Sequence, residues 1–148
     1  VLALDQAGDK TGMCLGADTG VLEHGLIRGK GKDYPMKINS VKRAMIALFV
    51  KHDVKKVLLE DTHDNKRNVA TYGKLSGLKY VLIDTCIEHD IDYKVIAPSS
   101  WRSKLGIKGK GREAKKLAAI NYVNKELGMT VKSEDTCEAI CIFMSELV

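Results

Sequence analysis

The chain lacks any long hydrophobic run, and no apolar stretch approaches the roughly 18–20 residues of a membrane-spanning helix. We therefore expect no membrane partner. No secretory signal is visible, and because the chain begins at Val1 rather than with a methionine, the sequence does not decide what precedes it. Repeats, low-complexity tracts and long linkers are also missing. These absences favour one domain over residues 1–148, which can bury a core without disulfides.

The four cysteines lack the spacing of a zinc or redox site. Cys137 and Cys141 lie four residues apart in an apolar helical stretch, as buried small hydrophobic residues do, whereas Cys14 and Cys86 stand alone. The four histidines are scattered, so no nearby set of Cys and His can complete a zinc site. Unpaired cysteines are typical of a reducing compartment, and we expect the cytoplasm.

Positive charge is concentrated in one part of the chain. The net charge of +5 and the isoelectric point of about 9.0 hint at a polyanionic partner. From position 94 to position 116 the only acid is Glu113, and three glycines interrupt the segment. It is either a solvated basic face or a flexible phosphate-binding loop. Its basic residues are Lys94, Arg102, Lys104, Lys108, Lys110, Arg112, Lys115 and Lys116.

Hydrophobic periodicity predicts three strands, then helix, strand, helix, strand and further helices. Strands are expected at 1–4, 13–15, 21–27, 57–59 and 93–97, with a turn at 8–12. Helices are expected at 35–51, 68–88, 112–127 (Leu117, Ile120, Val123 and Leu127 inward, Gly128 as stop) and 134–148 (capped by Ser133), with a short helical turn at 99–104. This order predicts an α/β fold with a mixed five-stranded sheet and helices on both faces. The ribonuclease-H-like fold has the same order.

Four carboxylates stand at notable places on these elements. Asp5 interrupts an apolar strand, Glu60 ends another, and Asp135 and Glu138 share one face of the last helix. Adjacent strands would gather all four at one end of the sheet, where like charges must take up protons or cations. Oxygen ligands favour Mg²⁺ or Mn²⁺.

Such a cluster suits phosphodiester hydrolysis, in which two ions about 4 Å apart activate water and stabilise the leaving oxygen. No protein nucleophile is then needed, which agrees with the absence of Gly-x-Ser-x-Gly, Walker-type and Cys–His signatures. No organic cofactor is expected.

Each acid also has a simpler interpretation. Asp5 could begin a turn, Glu60 could be a surface acid with Asp61 competing for the inward position, and Asp135 and Glu138 could complement the helix dipole. Only the joint order of all four on these elements favours a metal site.

Several segments resemble the RuvC-type Holliday-junction resolvases of the ribonuclease-H-like superfamily. They are Leu2-Ala-Leu-Asp5 with Gly8 and Thr11-Gly12, then Val57-Leu-Leu-Glu60, and Ser133-Glu-Asp135-Thr-Cys-Glu138-Ala-Ile. The segments 68–77 and 97–102 are most similar to the bacteriophage-encoded branch, so a bacterial or phage-infected cell is the expected setting. The similarity runs from Val1 to about Met144.

The resemblance implies a crossover junction endodeoxyribonuclease that cuts four-way DNA junctions with Mg²⁺, or Mn²⁺, two ions per site. It assigns the catalytic and metal-binding acids to Asp5, Glu60, Asp135 and Glu138, although the last is often Asp in the family. It also implies a functional lysine, best matched by Lys115, with Lys116 close behind. Open alternatives are a nuclease of the same fold acting on forks, flaps or RNA–DNA hybrids, and a non-catalytic junction-binding module. A sugar-kinase or actin-like ATPase is disfavoured, because those folds need two such domains and 148 residues cannot supply them.

The remaining candidates are DNA contacts and a dimer interface. Trp101 either stacks on a base or packs inside the short turn. Because a four-way junction has approximate two-fold symmetry, we expect a homodimer. The helix at 68–88 is the candidate interface: its strip of Ala70, Gly73 and Gly77 would pack on the sheet, and Leu75, Leu78 and Leu82 would meet the partner unless the whole helix packs within one subunit. The expected DNA contacts are Lys66, Arg67, Asn68, Lys74, Trp101, Arg102, Lys108, Lys110, Arg112 and Lys116.

Overall fold

Five strands form one mixed sheet in the order β3-β2-β1-β4-β5. The computed structural model describes residues 1–62 and 68–148. β1 pairs antiparallel with β2 and parallel with β4, and β4 pairs parallel with β5. The strands are β1 (Leu2–Asp5), β2 (Lys10–Ala17), β3 (Gly20–Arg28), β4 (Lys56–Glu60) and β5 (Asp92–Ile96).

Helices cover both faces of this sheet. On one face lie α1 (Tyr34–His52) and α2 (Val69–Glu88), and on the other lie α3 (Pro98–Lys104), α4 (Arg112–Asn121) and α5 (Glu134–Leu147). A π-helical segment, Tyr122–Glu126, continues α4. The predicted element order and mixed five-stranded sheet are therefore confirmed.

The central strands are continuous apolar runs because helices bury them on both sides. Side chains alternate between the faces, so Leu2 and Leu4 enter the core under α1 and α2, whereas Ala3 enters the core under α5. Val57 and Leu59 join the first core and Leu58 the second. Among residues 1–62 and 68–148, no helix is both long and apolar enough to cross a membrane.

The helix ends follow the predicted signals. Pro35 lies in the first turn of α1, and the Ser133 hydroxyl accepts a hydrogen bond from the Thr136 N–H at 3.3 Å. Gly128 has φ of +63°, a conformation that glycine adopts without strain, and it follows the π-helical segment. The N-terminus of α5, which bears two of the candidate acids, is thus well defined.

Two local predictions, those for Gly12 and Leu117, are wrong, and the helix predicted at 112–127 has the expected extent but mixed geometry. The strand β2 begins at Lys10, so Gly12 lies inside a strand rather than in a turn. The helix expected at 112–127 changes to π-helical geometry at Tyr122. Leu117 is 58% exposed. Ala119 and Val123 face α5, and Leu117, two residues before Ala119, lies about 200° from it around the helix axis and so points away from α5.

The two faces of α2 are the reverse of the prediction. Leu78 and Leu82 are completely buried in the subunit core and cannot meet a partner. A side chain added at Gly73 or Gly77 would touch nothing within 4 Å among the described residues. The small-residue strip therefore faces outward, and the leucines pack on the sheet.

Candidate active site

Three acids from three elements converge at the carboxyl ends of the central strands. Asp5 is the last residue of β1, and Glu60 is the last residue of the parallel neighbour β4. Glu138, one turn beyond the N-terminus of α5, lies beside them. One carboxylate oxygen from each of Asp5, Glu60 and Glu138 lies within 4.8 Å of the other two. Asp135 lines the same cleft but lies outside this group of three.

A glycine allows α5 to approach so closely. Gly12 pairs with Asp5 across the β1–β2 ladder, and a side chain there would overlap the carbonyl oxygen of Asp135. The Thr136 hydroxyl donates a hydrogen bond to the Gly25 carbonyl at 3.0 Å, which ties the same helical turn to β3. The acids of α5 are therefore placed by main-chain contact with the sheet, as an interior strand glycine often indicates.

Glu60 is held at its main chain by Gln6, which the sequence analysis missed. The Gln6 amide donates to the Glu60 carbonyl at 2.5 Å, and its oxygen accepts from the Glu60 N–H at 3.1 Å. These bonds extend the pairing of β1 and β4 past their last ladder residues. The available signal was a polar residue directly after Asp5, where the strand pairing stops.

The prediction that Trp101 stacks on a DNA base is wrong. Its side chain is completely buried, so no ring face is open to a base, and the alternative of internal packing is confirmed. Its indole N–H donates to Oε2 of Glu60 at 2.8 Å. The neighbouring Arg102 lies 4.5 Å over the indole ring and 3.7 Å from Oε1 of Glu138. Arg102 thus lies beside the acids, and a contact with DNA remains a prediction.

Burial and mutual repulsion oppose full ionisation of these acids. Burial raises the pKa of Asp5 well above its usual range, and the charges of Glu60, Glu138 and Asp135 raise it further. Burial also raises the pKa of Glu60 to about 7 against the Trp101 hydrogen bond, and raises that of Glu138 against the Arg102 charge. These carboxylates are close together, half-buried and resist joint ionisation, and a site made only of such oxygen donors fits a divalent cation such as Mg²⁺.

The metal-free protein should lose stability as pH rises from about 5 to 8. Unfolded carboxyls titrate near pH 4, whereas Asp5 and Glu60 keep their protons to higher pH when folded, the latter to about 7. The folded state therefore binds more protons in this window, and its stability falls as pH rises through it. In thermal melts with EDTA, each kcal/mol lost should lower Tm by roughly 2–4 °C.

Mg²⁺ at pH 8 should reverse this loss, since a bound cation replaces the missing protons. Asp5→Asn should flatten the pH dependence and weaken the response of Tm to Mg²⁺. A Tm that is constant from pH 5 to 8 and indifferent to Mg²⁺ would contradict this interpretation of the acids.

A cleft of about 460 Å³ opens above the acids, and its rim is basic. The predicted residues Arg112 and Lys115 line it together with Arg102. Lys116 lines it as well, with its ammonium 2.9 Å from Oε2 of Glu134. Negative charge at the bottom and positive charge at the rim can bind a cation and a polyanion in one place.

The other predicted DNA contacts that the structure describes lie outside this cleft. Lys108 and Lys110 are exposed before α4, and Lys108 borders a separate groove. Lys74 is exposed, with its ammonium 5.5 Å from the centre of the Tyr34 ring. The Asn68 side chain caps α2 by accepting from the Thr71 N–H at 3.2 Å. The predictions for Lys66 and Arg67 fall outside the described residues.

Comparison with known proteins shows the fold. No protein-family model matches the sequence, and no curated protein matches it either. Thermus thermophilus RuvC in complex with a Holliday junction substrate is similar in structure, with TM-score 0.70 and 10% identity over 97% of this chain and 89% of that one. Another structure of RuvC from that organism has TM-score 0.68 and 11% identity over 97% and 90%. The chain therefore has the ribonuclease-H-like fold of RuvC.

Proposed function

We propose that this chain is a structure-selective endodeoxyribonuclease that resolves four-way DNA junctions by paired, metal-dependent hydrolysis. One observation carries the proposal: carboxylate oxygens of Asp5, Glu60 and Glu138 lie within 4.8 Å of one another under a basic cleft. The structural likeness to a RuvC that was solved with a Holliday junction substrate supports this choice among phosphodiester hydrolases.

The acids would hold Mg²⁺, which Mn²⁺ can replace, and two ions per site suit the reaction. Asp5, Glu60 and Glu138 form the close group, and Asp135 lines the same cleft and completes the ligand set. When bound, the ions supply an activated water and a counter-charge for the leaving oxygen. The chain itself holds these ligands rigidly, because Asp5 and Glu60 end paired strands and Glu138 lies on a capped helix.

The basic rim would bind and orient the DNA backbone. Lys115 lines the acidic cleft, and we assign it a contact with the phosphate that is cut. Arg112 is the first residue of α4, where a helix N-terminus favours phosphate. The exposed Lys108 and Lys110 would contact phosphates farther along the same strand. Phosphate contacts fix position without reading base sequence, which suits an enzyme that selects DNA by shape.

The working unit would be a homodimer, because two opposed strands of the junction must be cut. The outward face of α2 is our candidate interface. It combines the small residues Gly73 and Gly77 with exposed apolar side chains of Val69, Tyr80 and Ile87, which are 71%, 64% and 58% exposed. Small residues permit close helix packing, and the apolar side chains would be buried by it.

The deciding experiment compares labelled four-way junction, fork, flap and RNA–DNA hybrid at equal concentration. We expect Mg²⁺ or Mn²⁺ to support symmetric cutting of the four-way junction, and EDTA to abolish it. Ca²⁺ should permit binding with little cutting, since its coordination is larger and looser. Cutting mainly of the hybrid would indicate another nuclease of this fold, and tight binding without cutting under every condition would indicate a binding module.

A further inference from the structure

The carboxylate of Glu60 receives a hydrogen bond from deep inside the protein. We propose that Trp101 is a positioning residue of the metal site: its indole N–H occupies Oε2 of Glu60, fixes the carboxylate plane and leaves Oε1 for a cation. The donor–acceptor distance is 2.8 Å. The inference deepens the proposed function and rests on it, since it assumes that these acids hold a divalent metal.

The indole is a rigid donor, so the carboxylate must adapt to it. Trp101 is fully buried in the apolar core that also contains Ile96, Ala119 and Ile140. Its helix begins at Pro98, and the main-chain N–H of Trp101 donates to the Ala97 carbonyl at 3.3 Å. The Arg102 guanidinium covers the ring at 4.5 Å. A side chain packed in this way cannot rotate to follow Glu60.

Glu60 is thereby held both at its main chain and at its carboxylate. The Gln6 amide binds its main-chain N–H and carbonyl, which fixes the strand end next to Asp5. The side-chain torsions remain free under that constraint alone, and the bond from Trp101 restrains them. Hydrogen bonds from outer residues orient metal ligands in this manner, and losing one typically costs 10–100-fold in metal affinity or activity.

The alternative is that Trp101 only fills the core and donates to the nearest acceptor, as buried tryptophans usually do. Trp101→Phe separates the two roles, because it keeps an aromatic ring and removes the donor. We expect Mn²⁺ to bind the folded variant about 10–100-fold more weakly by calorimetry without DNA. Phe143→Leu is the matched control, since Phe143 is buried in the same core but has no hydrogen-bond donor. It should lower Tm and leave Mn²⁺ affinity within about twofold.

A second measurement uses the unchanged protein. Trp101 is the single tryptophan of the chain, so its indole N–H gives one resonance in a ¹⁵N-labelled sample. That resonance should shift on Mg²⁺ addition and saturate at the same concentrations as a calorimetric Mg²⁺ titration, and Asp5→Asn should remove the shift. Wild-type Mn²⁺ affinity in folded Trp101→Phe, or an unmoved indole at saturating Mg²⁺, would overturn the proposal. If the variant does not fold, the indole titration alone decides. Metal responses as expected without any junction cleavage would count against the proposed function and leave this inference standing.

Discussion

Asp5→Asn is expected to reduce junction cleavage by about 10³-fold or more and to leave junction binding equal or tighter. Asp5 belongs to the close acidic group, where the charges of Glu60 and Glu138 both act on it. The amide keeps the shape of the side chain but removes one charge that would hold the metal. A loss of about 4 kcal/mol of transition-state stabilisation corresponds to this factor. Binding is equal where the Asp5 carboxyl is protonated, and it is tighter where that carboxyl is ionised, because a negative charge near DNA phosphates is then removed.

Single-turnover cleavage of a labelled four-way junction in Mg²⁺ measures the first effect, and binding in Ca²⁺ measures the second. Asp18→Asn is the matched control, since Asp18 is an exposed acid in the turn between β2 and β3. It removes the same charge and should cut at the wild-type rate. Cleavage by Asp5→Asn above about one tenth of that rate would exclude Asp5 from the metal site.

Much of the fold could be predicted because the central strands carry unambiguous patterns. The runs at 2–4 and 57–59 are apolar on both faces, which only a strand covered on both sides requires. Because β1 and β4 are parallel neighbours, the acid that ends each run lies at the same end of the sheet. The sequence predicted that Asp135 and Glu138 would join these two acids. The structure brings Asp5, Glu60 and Glu138 together, and Asp135 lines the same cleft outside that group.

The orientation of α2 could not be predicted in the same way. Its outward face carries Val69, Gly73, Gly77 and Ile87, and its inward face carries leucines, so both faces read as apolar or small. Hydrophobic periodicity cannot decide which of two such faces enters the core. Packing decides it, because the sheet leaves room for the larger side chains of Leu78 and Leu82.

The residues that hold the acids in place were also beyond sequence reasoning. Gln6 bonds to the main chain of a residue 54 positions away, and Trp101 bonds to a carboxylate 41 positions away. Neither contact leaves a local pattern, since each depends on the register of β1 against β4 and on where α3 packs. A tryptophan in a short basic segment is equally compatible with base stacking until its burial is known.

Gly77→Arg is expected to separate the proposed homodimer into monomers and to change the products made from a cruciform plasmid. Gly77 lies on the outward face of α2, and nothing in residues 1–62 or 68–148 lies within 4 Å of a side chain added there. The change should not harm folding, since glycine is about 1 kcal/mol less favourable in helices than ordinary residues. An unpaired charge buried in an interface costs roughly 3 kcal/mol or more, which raises the dimer dissociation constant by at least about 10²-fold.

Sedimentation velocity with and without junction DNA measures the assembly, and the plasmid measures its consequence. Two sites acting within one binding event give linear plasmid directly, whereas single sites accumulate open circles first. Gly77→Arg should therefore nick but form little linear product, with Tm unchanged or slightly higher. Val50→Arg is the matched control, because Val50 is 82% exposed on α1 and is not among the residues of the proposed interface on α2. It should remain dimeric and yield linear plasmid.

The unchanged protein provides the outcome that would contradict this proposal. If it is monomeric on junction DNA and yields only open circles, it is still a nuclease by this assay, but paired resolution and the role of α2 as an interface are both wrong.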